Sequence, residues 1–168
     1  MKKTTLCYIE QDGKYLMLYR NKKKNDINEG KWVGVGGKFE DGESPDECLL
    51  REVFEETGFT LTGYKFRGII KFVSDVWGSE LMYLYSANSF TGELKSCDEG
   101  EFSWIDKKDV YHLPIWEGDK AIFRALEKEE YLFTMEVHYE GDTLVNNPKC
   151  VPYSGMTYDF EKEKINCS

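Results

Sequence analysis

Between Ser44 and Gly58 the chain spells out one complete helix together with both of its ends. Ser44 is an N-cap residue whose hydroxyl can accept from a free backbone N–H. Pro45 suits the first helical position because it has no N–H to leave unpaired, and Glu47 stands where a capping-box carboxylate reaches back. Gly58 supplies the left-handed stop. These signals predict a helix of about 13 residues starting at Pro45. Leu49, Leu50, Val53 and Phe54 are expected on its inward side.

Strand signals surround this helix. Thr4 to Gln11 and Lys14 to Arg20 flank Asp12-Gly13, a dipeptide suited to the positive φ angles of a type I′ turn, and read as a hairpin. Asn21 to Lys31 is polar and reads as a loop, or more simply as a solvated charge run. Thr60 to Phe66, Gly68 to Val76, Glu80 to Asn88 and Glu101 to Ile105 carry strand formers. A second helix is expected from about Glu117 to Glu130, with Ala121, Ile122, Ala125 and Leu126 at core spacing. Leu132 to Tyr139 and Thr143 to Val145 are expected to pair across Glu140-Gly141-Asp142. The pattern implies an α/β fold, an α/β/α sandwich with a mixed β-sheet. One domain is expected over residues 1–146, followed by a loosely attached C-terminal tail over 147–168 that contains Pro148 and Pro152.

Charge and cysteine content exclude several functions. A net charge of −9 argues against a nucleic-acid duplex as partner, because such binding needs a basic face to displace condensed counterions. Five cysteines, an odd number at wide spacings and without a C-x-x-C pair, read as reduced thiols rather than disulfides or a zinc site. No run of about 18 apolar residues and no signal-peptide core is present, so a cytoplasmic protein without a membrane anchor is expected. A monomer and a homodimer both remain open.

The predicted helix carries Glu52, Glu55 and Glu56 at i, i+3 and i+4, three carboxylates on one face. A solvated acidic face is one explanation. The other is a hard divalent cation such as magnesium, which takes several oxygen ligands and often bridges phosphate oxygens. Gly37 lacks a Cβ, so its backbone can approach a metal or phosphate closely and its carbonyl could join the coordination shell; a tight turn is the plainer reason for glycine there. Arg51 is expected to hold Glu43 or a helix carboxylate. A cation of this kind lowers the pKa of bound water and neutralises charge on leaving oxygens, so hydrolysis needs no serine or cysteine nucleophile.

Gly37, Glu43, Arg51-Glu52-Val53, Glu55-Glu56, Gly58 and Phe59 match G-x5-E-x7-R-E-U-x-E-E-x-G-U, U being apolar, at all nine specified positions within 23 residues. This resembles the Nudix box. The resemblance implies a Nudix hydrolase that cleaves a pyrophosphate bond with Mg2+, Mn2+ being a possible substitute. Its metal ligands would be Gly37, Glu52, Glu55 and Glu56, with Glu52 accepting the water proton or holding the metal. A further ligand is implied in Asp98-Glu99-Gly100-Glu101, matching Glu99, with Glu101 or Asp98 as alternatives. Arg20, Lys23 and Lys38 flank the box and could meet phosphate oxygens.

The likeness extends over roughly Leu6 to Val145 and is greatest to the MutT-like branch. Gly30-Lys31-Trp32-Val33-Gly34-Val35-Gly36-Gly37-Lys38 is similar to that branch's G-x-W-x-G-x-G-G-K, and Trp116-Glu117-Gly118-Asp119 to its purine-facing segment. Trp116 offers a stacking surface and Asp119 a donor or acceptor according to its protonation, although a core tryptophan and a helix N-cap account for both equally well. Val33 departs from relatives that place an asparagine there to read 8-oxoguanine. The resemblance therefore implies hydrolysis of a nucleoside triphosphate, with sanitation of 8-oxo-dGTP to 8-oxo-dGMP and pyrophosphate, in the service of DNA repair, as the first expectation. ADP-ribose, dinucleoside polyphosphates or ordinary nucleotides are the enzymatic alternative. A nucleotide-sensing module without catalysis is the third, and the intact Glu52, Glu55 and Glu56 argue against it.

Overall fold

The computed structural model describes residues 1–152, together with the backbone of residues 156–159 and 164–167. Residues 153–155, 160–163 and 168 of the expected tail, and the thiol of Cys167, lie outside the described residues. Strand β1 (Lys2–Gln11) turns through Asp12 at φ 51° and Gly13 at φ 76° into β2 (Lys14–Tyr19), the positive angles that a type I′ hairpin requires. The two strands pair only at Glu10–Tyr15 and Gln11–Lys14 and then diverge. From there β1 runs parallel to β5 (Gly78–Thr91), while β2 pairs antiparallel with β3 (Trp32–Val33) and β6 (Glu101–Asp106).

The opening between β1 and β2 is filled by residues 34–38. Cys7 and Val35 exchange backbone hydrogen bonds of 2.6 and 2.9 Å, and Thr5 N–H donates to the Gly37 carbonyl at 2.9 Å. Beyond β5 the sheet continues through β4 (Thr60–Ser74), antiparallel to it, and β7 (Phe133–Glu140), parallel to β4. The two strands expected over 60–66 and 68–76 are one strand, because an irregularity between Phe66 and Gly68 shifts the register without ending the pairing. The hairpin expected across Gly141 is present as β7 with β8 (Thr143–Leu144). A two-residue β9 (Val151–Pro152) also pairs with β7, and β10 (Met156–Asp159) pairs with β11 (Lys164–Cys167).

Alternation along the strands feeds two cores, one on each sheet face. Tyr8, Tyr15 and Met17 join Ile70, Phe72, Trp116 and Phe123 beneath α2 (Glu117–Lys128), whereas Cys7, Ile9 and Leu16 join Leu49, Val53 and Phe59 beneath α1 (Pro45–Thr57). The result is the expected α/β sandwich, a mixed, curled sheet between two helices. Among the described residues no helix is long and apolar enough to cross a membrane. Cys7, Cys48, Cys97 and Cys150 are free thiols.

Helix α1 has the predicted ends. Ser44 Oγ accepts from Glu47 N–H at 3.1 Å, Glu47 Oε1 accepts from Ser44 N–H at 3.1 Å, and Gly58 closes the helix at φ 83°. Its inward side differs from expectation: Cys48, Leu49, Val53 and Thr57 are buried, while Phe54 is 56% exposed. The four-residue steps from Leu49 to Val53 to Thr57 hold the buried stripe, and the next residue round the helix turns away from it. Helix α2 stops at Lys128, two residues before the expected end, where Glu129 is extended. Arg67 reaches over from β4 and donates to the carbonyls of Leu126 and Glu129 at 3.1 and 2.8 Å, pairing helix-end acceptors that would otherwise be open. Replacing Ser44 by Ala removes one half of the capping box and should lower stability by about 1 kcal/mol in urea unfolding. An unchanged midpoint would show that the cap does not secure α1.

Candidate active site

The divergence of β1 from β2 leaves a cavity of about 560 Å³ between the sheet, α1 and the loop at 23–28. Its wall includes Gly37, Glu52, Glu56 and Glu99 as well as Arg20, Lys23, Lys38, Trp116 and Asp119. Residues drawn from five separate stretches of sequence are thus brought to one hollow. Glu43, Arg51 and Glu55 lie outside its wall.

At the end near α1, the chain packs closely at two glycines, against backbone at Gly36 and against the Glu52 carboxylate at Gly37. A Cβ on Gly36 would lie 1.9 Å from the Thr5 carbonyl oxygen, and one on Gly37 would lie 2.4 Å from the Glu52 carboxyl carbon. Neither residue has a positive φ, so close packing rather than backbone conformation demands glycine at Gly36, and the missing Cβ at Gly37 makes room for the Glu52 carboxylate where it stands. The Gly37 carbonyl already accepts from Thr5 N–H and, at 3.6 Å, from the Cys48 thiol.

The three helix carboxylates separate by environment. Glu52 and Glu56, one turn apart, face the cavity, whereas the Glu55 side chain is 55% exposed. Glu56, Cys97 and Glu99 place one ligand atom each within 4.8 Å of one another. Burial first, then the charges of Glu99 and Glu52, push the Glu56 carboxyl up to about 8. Burial also raises Glu52, although Arg51 opposes the shift. Carboxylates crowded into a half-buried space are held apart from their preferred charged state, and a divalent cation among Glu52, Glu56 and Glu99 would relieve that conflict. These residues fit such a cation. Cys97 was not anticipated as a neighbour; its wide sequence separation from α1 hid it.

Arg51 is the hub of the outer layer. Its Nε and Nη2 grip Glu43 at 2.6 and 2.9 Å, its Nη1 reaches Glu52 at 2.8 Å and Glu55 at 3.1 Å, and Nη2 also donates to the Lys38 carbonyl at 2.9 Å. The guanidinium holds the Glu43 carboxyl down to about 2. One residue therefore ties the 38–43 loop to the helix face and orients Glu52. Arg20 behaves similarly: Nε donates to Asp26 at 2.7 Å and Nη1 to Glu99 at 2.6 Å. Lys23 and Lys38 are exposed at the rim.

At the far end, Trp116 is buried against Phe72 and Tyr139, with Lys31 Nζ 4.4 Å above its ring. Trp116 itself, rather than Asp119, is the N-cap residue of α2, and Asp119 lies in the first turn with its N–H donating to the Trp116 carbonyl. Burial raises the Asp119 carboxyl to about 7, with Lys31 acting in the opposite direction. Near neutral pH it is poised between hydrogen-bond donor and acceptor. Val33, Tyr8, Phe72 and Asn28 line the cavity too. The first three follow from strand alternation or the motif, while Asn28 gave no signal in its polar loop.

The raised Glu56 carboxyl has a measurable consequence. Its folded pKa, near 8, exceeds the ordinary value of 4.5, so the folded chain holds the proton more tightly than the unfolded one. Stability of the cation-free protein should therefore fall as pH rises from about 4.5 through about 8. In thermal melts without divalent cations, Glu56→Gln should flatten that fall, and Mg2+ should raise the melting temperature of the unaltered protein more at roughly pH 8.5 than at roughly pH 6. Identical pH profiles for the two proteins would contradict the assigned environment.

Comparison with known proteins converges on one family. The family model described as the NUDIX domain matches residues 2–126. The fold superposes with a TM-score of 0.78 on a crystal structure described as a MutT protein from Bacillus halodurans, 30% identical, covering 89% of this chain and 97% of that one. An uncharacterised Nudix hydrolase of Bacillus subtilis is 30% identical over 79% of this chain and 83% of its own length. An oxidized purine nucleoside triphosphate hydrolase of Danio rerio is 32% identical over 76% of this chain and 81% of its own length. With its helix carboxylates, its glycine-lined cavity and a domain match spanning most of its length, the chain belongs to the Nudix hydrolases, MutT-like enzymes that hydrolyse nucleoside diphosphate derivatives.

Proposed function

We propose that the protein is a Mg2+-dependent nucleoside triphosphate pyrophosphohydrolase whose preferred substrate is an oxidised purine nucleotide, 8-oxo-dGTP, converted to 8-oxo-dGMP and pyrophosphate. The observation that carries this reading is a single cavity with crowded carboxylates at one end and an aromatic residue beside a proton-sharing carboxyl at the other. Phosphates and base of one nucleotide fit that polarity. The Danio rerio relative described as an oxidized purine nucleoside triphosphate hydrolase supports the substrate class.

Mg2+, or Mn2+ in its place, would be held by Glu52, Glu56 and Glu99, with Glu55 reaching in from its exposed position and the Gly37 carbonyl adjoining. When bound it supplies a lowered pKa for water and neutralises charge on phosphate oxygens. Glu52, oriented by Arg51, accepts the proton of the attacking water. That water adds its oxygen to one of the two phosphorus atoms that flank the α–β bridging oxygen as the bond from that phosphorus to the bridging oxygen breaks, and the other fragment leaves with the electron pair. Lys38 and Lys23 at the rim meet phosphate oxygens, whereas Arg20 acts by holding Glu99. Trp116 packs on the base and Asp119 meets its edge. The catalytic unit would be residues 1–146 with 147–168 as a tail, working as a monomer or homodimer in the cytoplasm, where the nucleotide pool is found.

Val33, on the cavity wall in place of the asparagine of some relatives, favours a second reading: a broader pyrophosphatase for ADP-ribose, dinucleoside polyphosphates or ordinary nucleotides. Phosphorus NMR of products from 8-oxo-dGTP, dGTP and ADP-ribose with Mg2+ separates the two. The first reading expects pyrophosphate and 8-oxo-dGMP at the highest kcat/KM; a preference for ADP-ribose would replace it with the second. Glu55→Gln or Glu56→Gln should each lower kcat by on the order of a hundredfold or more, and unchanged Mg2+-dependent turnover would remove the assigned carboxylates from the mechanism.

A further inference from the structure

The loop over 21–31 is held by backbone contacts at its base. Arg20 N–H donates to the Lys31 carbonyl at 3.0 Å, Gly30 N–H to the Arg20 carbonyl at 2.8 Å, and Lys31 N–H to the Asn28 carbonyl at 2.9 Å. Asp26 is gripped by the Arg20 guanidinium. Asn28, set within this fastened turn, lines the cavity beside Trp116. Trp116 Nε1–H lies 2.8 Å from the Asn28 side-chain oxygen.

That contact settles which way the amide faces. An indole nitrogen only donates, so the atom it meets must be the amide oxygen, and the NH2 group is turned elsewhere. No hydrogen bond to Asn28 Nδ2 occurs among the described residues. Asn28 thus stands on the cavity wall with its acceptor engaged and its donor unused. The same indole therefore orients a donor next to itself.

We propose that Asn28 is a specificity-determining residue, its Nδ2 donating to a ring carbonyl of the bound base and so selecting oxo-purine over amino-purine nucleotides. The inference rests on the nucleotide reading of the cavity above. It gives the site a donor despite Val33, from five residues earlier in the chain, and leaves Asp119 to meet another atom of the base edge. A base that presents an amino group at the same place would set donor against donor and lose the bond.

Asn28→Asp keeps the shape and the bond from Trp116 but replaces the NH2 by an acceptor oxygen. Its added charge acts on every nucleoside triphosphate alike, so the readout is the ratio of kcat/KM for dGTP or 8-oxo-dGTP to that for dATP. The ratio should fall at least about tenfold. Trp116→Phe, which retains a ring but frees the amide to rotate, should lower the same ratio by a smaller factor. An unchanged ratio in Asn28→Asp overturns the proposal while leaving the hydrolase reading intact. If the unaltered protein hydrolyses none of these triphosphates, the hydrolase reading fails separately. The same ratio is then read from dissociation constants of dGMP and dAMP by tryptophan fluorescence, and equal constants in the unaltered protein and Asn28→Asp, or no binding, overturn the proposal there.

Discussion

Everything at the site depends on the backbone contact between residues 34–38 and the early part of β1. Once β2 leaves β1 after two paired positions, the open edge of β1 must find other hydrogen-bond partners, because buried backbone groups left unpaired are costly. Val35 and Gly37 supply them. The approach is so close that Gly36 admits no side chain against the Thr5 backbone, and the absence of a Cβ at Gly37 is what lets the Glu52 carboxylate sit against the chain. The cavity, the placement of α1 and the crowding of its acids all follow from this one insertion.

The second constraint is electrostatic. Glu52, Glu56 and Glu99 converge with little to offset them: Arg51 is shared among Glu43, Glu52 and Glu55, and Arg20 between Asp26 and Glu99. Burial and mutual repulsion hold Glu56 partly protonated near neutral pH. A fold that maintains such a cluster gives up stability there, as functional sites commonly do. The two arginines limit that cost without filling the centre. They fix the carboxylates in place and leave a polar hollow suited to a small hard cation and a polyphosphate.

Helix α1 was readable in advance because each of its signals is local: the cap, the proline, the capping-box glutamate and the terminal glycine all act within one or two turns. The carboxylate spacing was readable for the same reason. What escaped was set by tertiary partners. Phe54 fits an amphipathic pattern but lies just beyond the stripe that meets the sheet. Arg20 lies on the cavity wall that its expected phosphate contact needs, but the two acids within hydrogen-bond reach of it gave no local signal. Asn28 and Asp26 look like members of a solvated charge run until the backbone bonds at the loop's base turn them toward the cavity. Cys97 comes beside Glu56 in a segment whose Lys95 N–H donates to the Thr57 carbonyl at the end of α1, a contact remote in sequence. No spacing rule reports such encounters.

The account's central claim is that the carboxylates on the cavity wall hold a divalent cation where a nucleotide's phosphates would lie. Anomalous diffraction from crystals soaked in Mn2+ tests it most directly. The predicted result is a strong anomalous peak within coordinating distance of Glu56 and at least one of Glu52 and Glu99, lost in Glu56→Gln crystals. A cavity with no peak, or a peak only at surface acids away from α1, would contradict it.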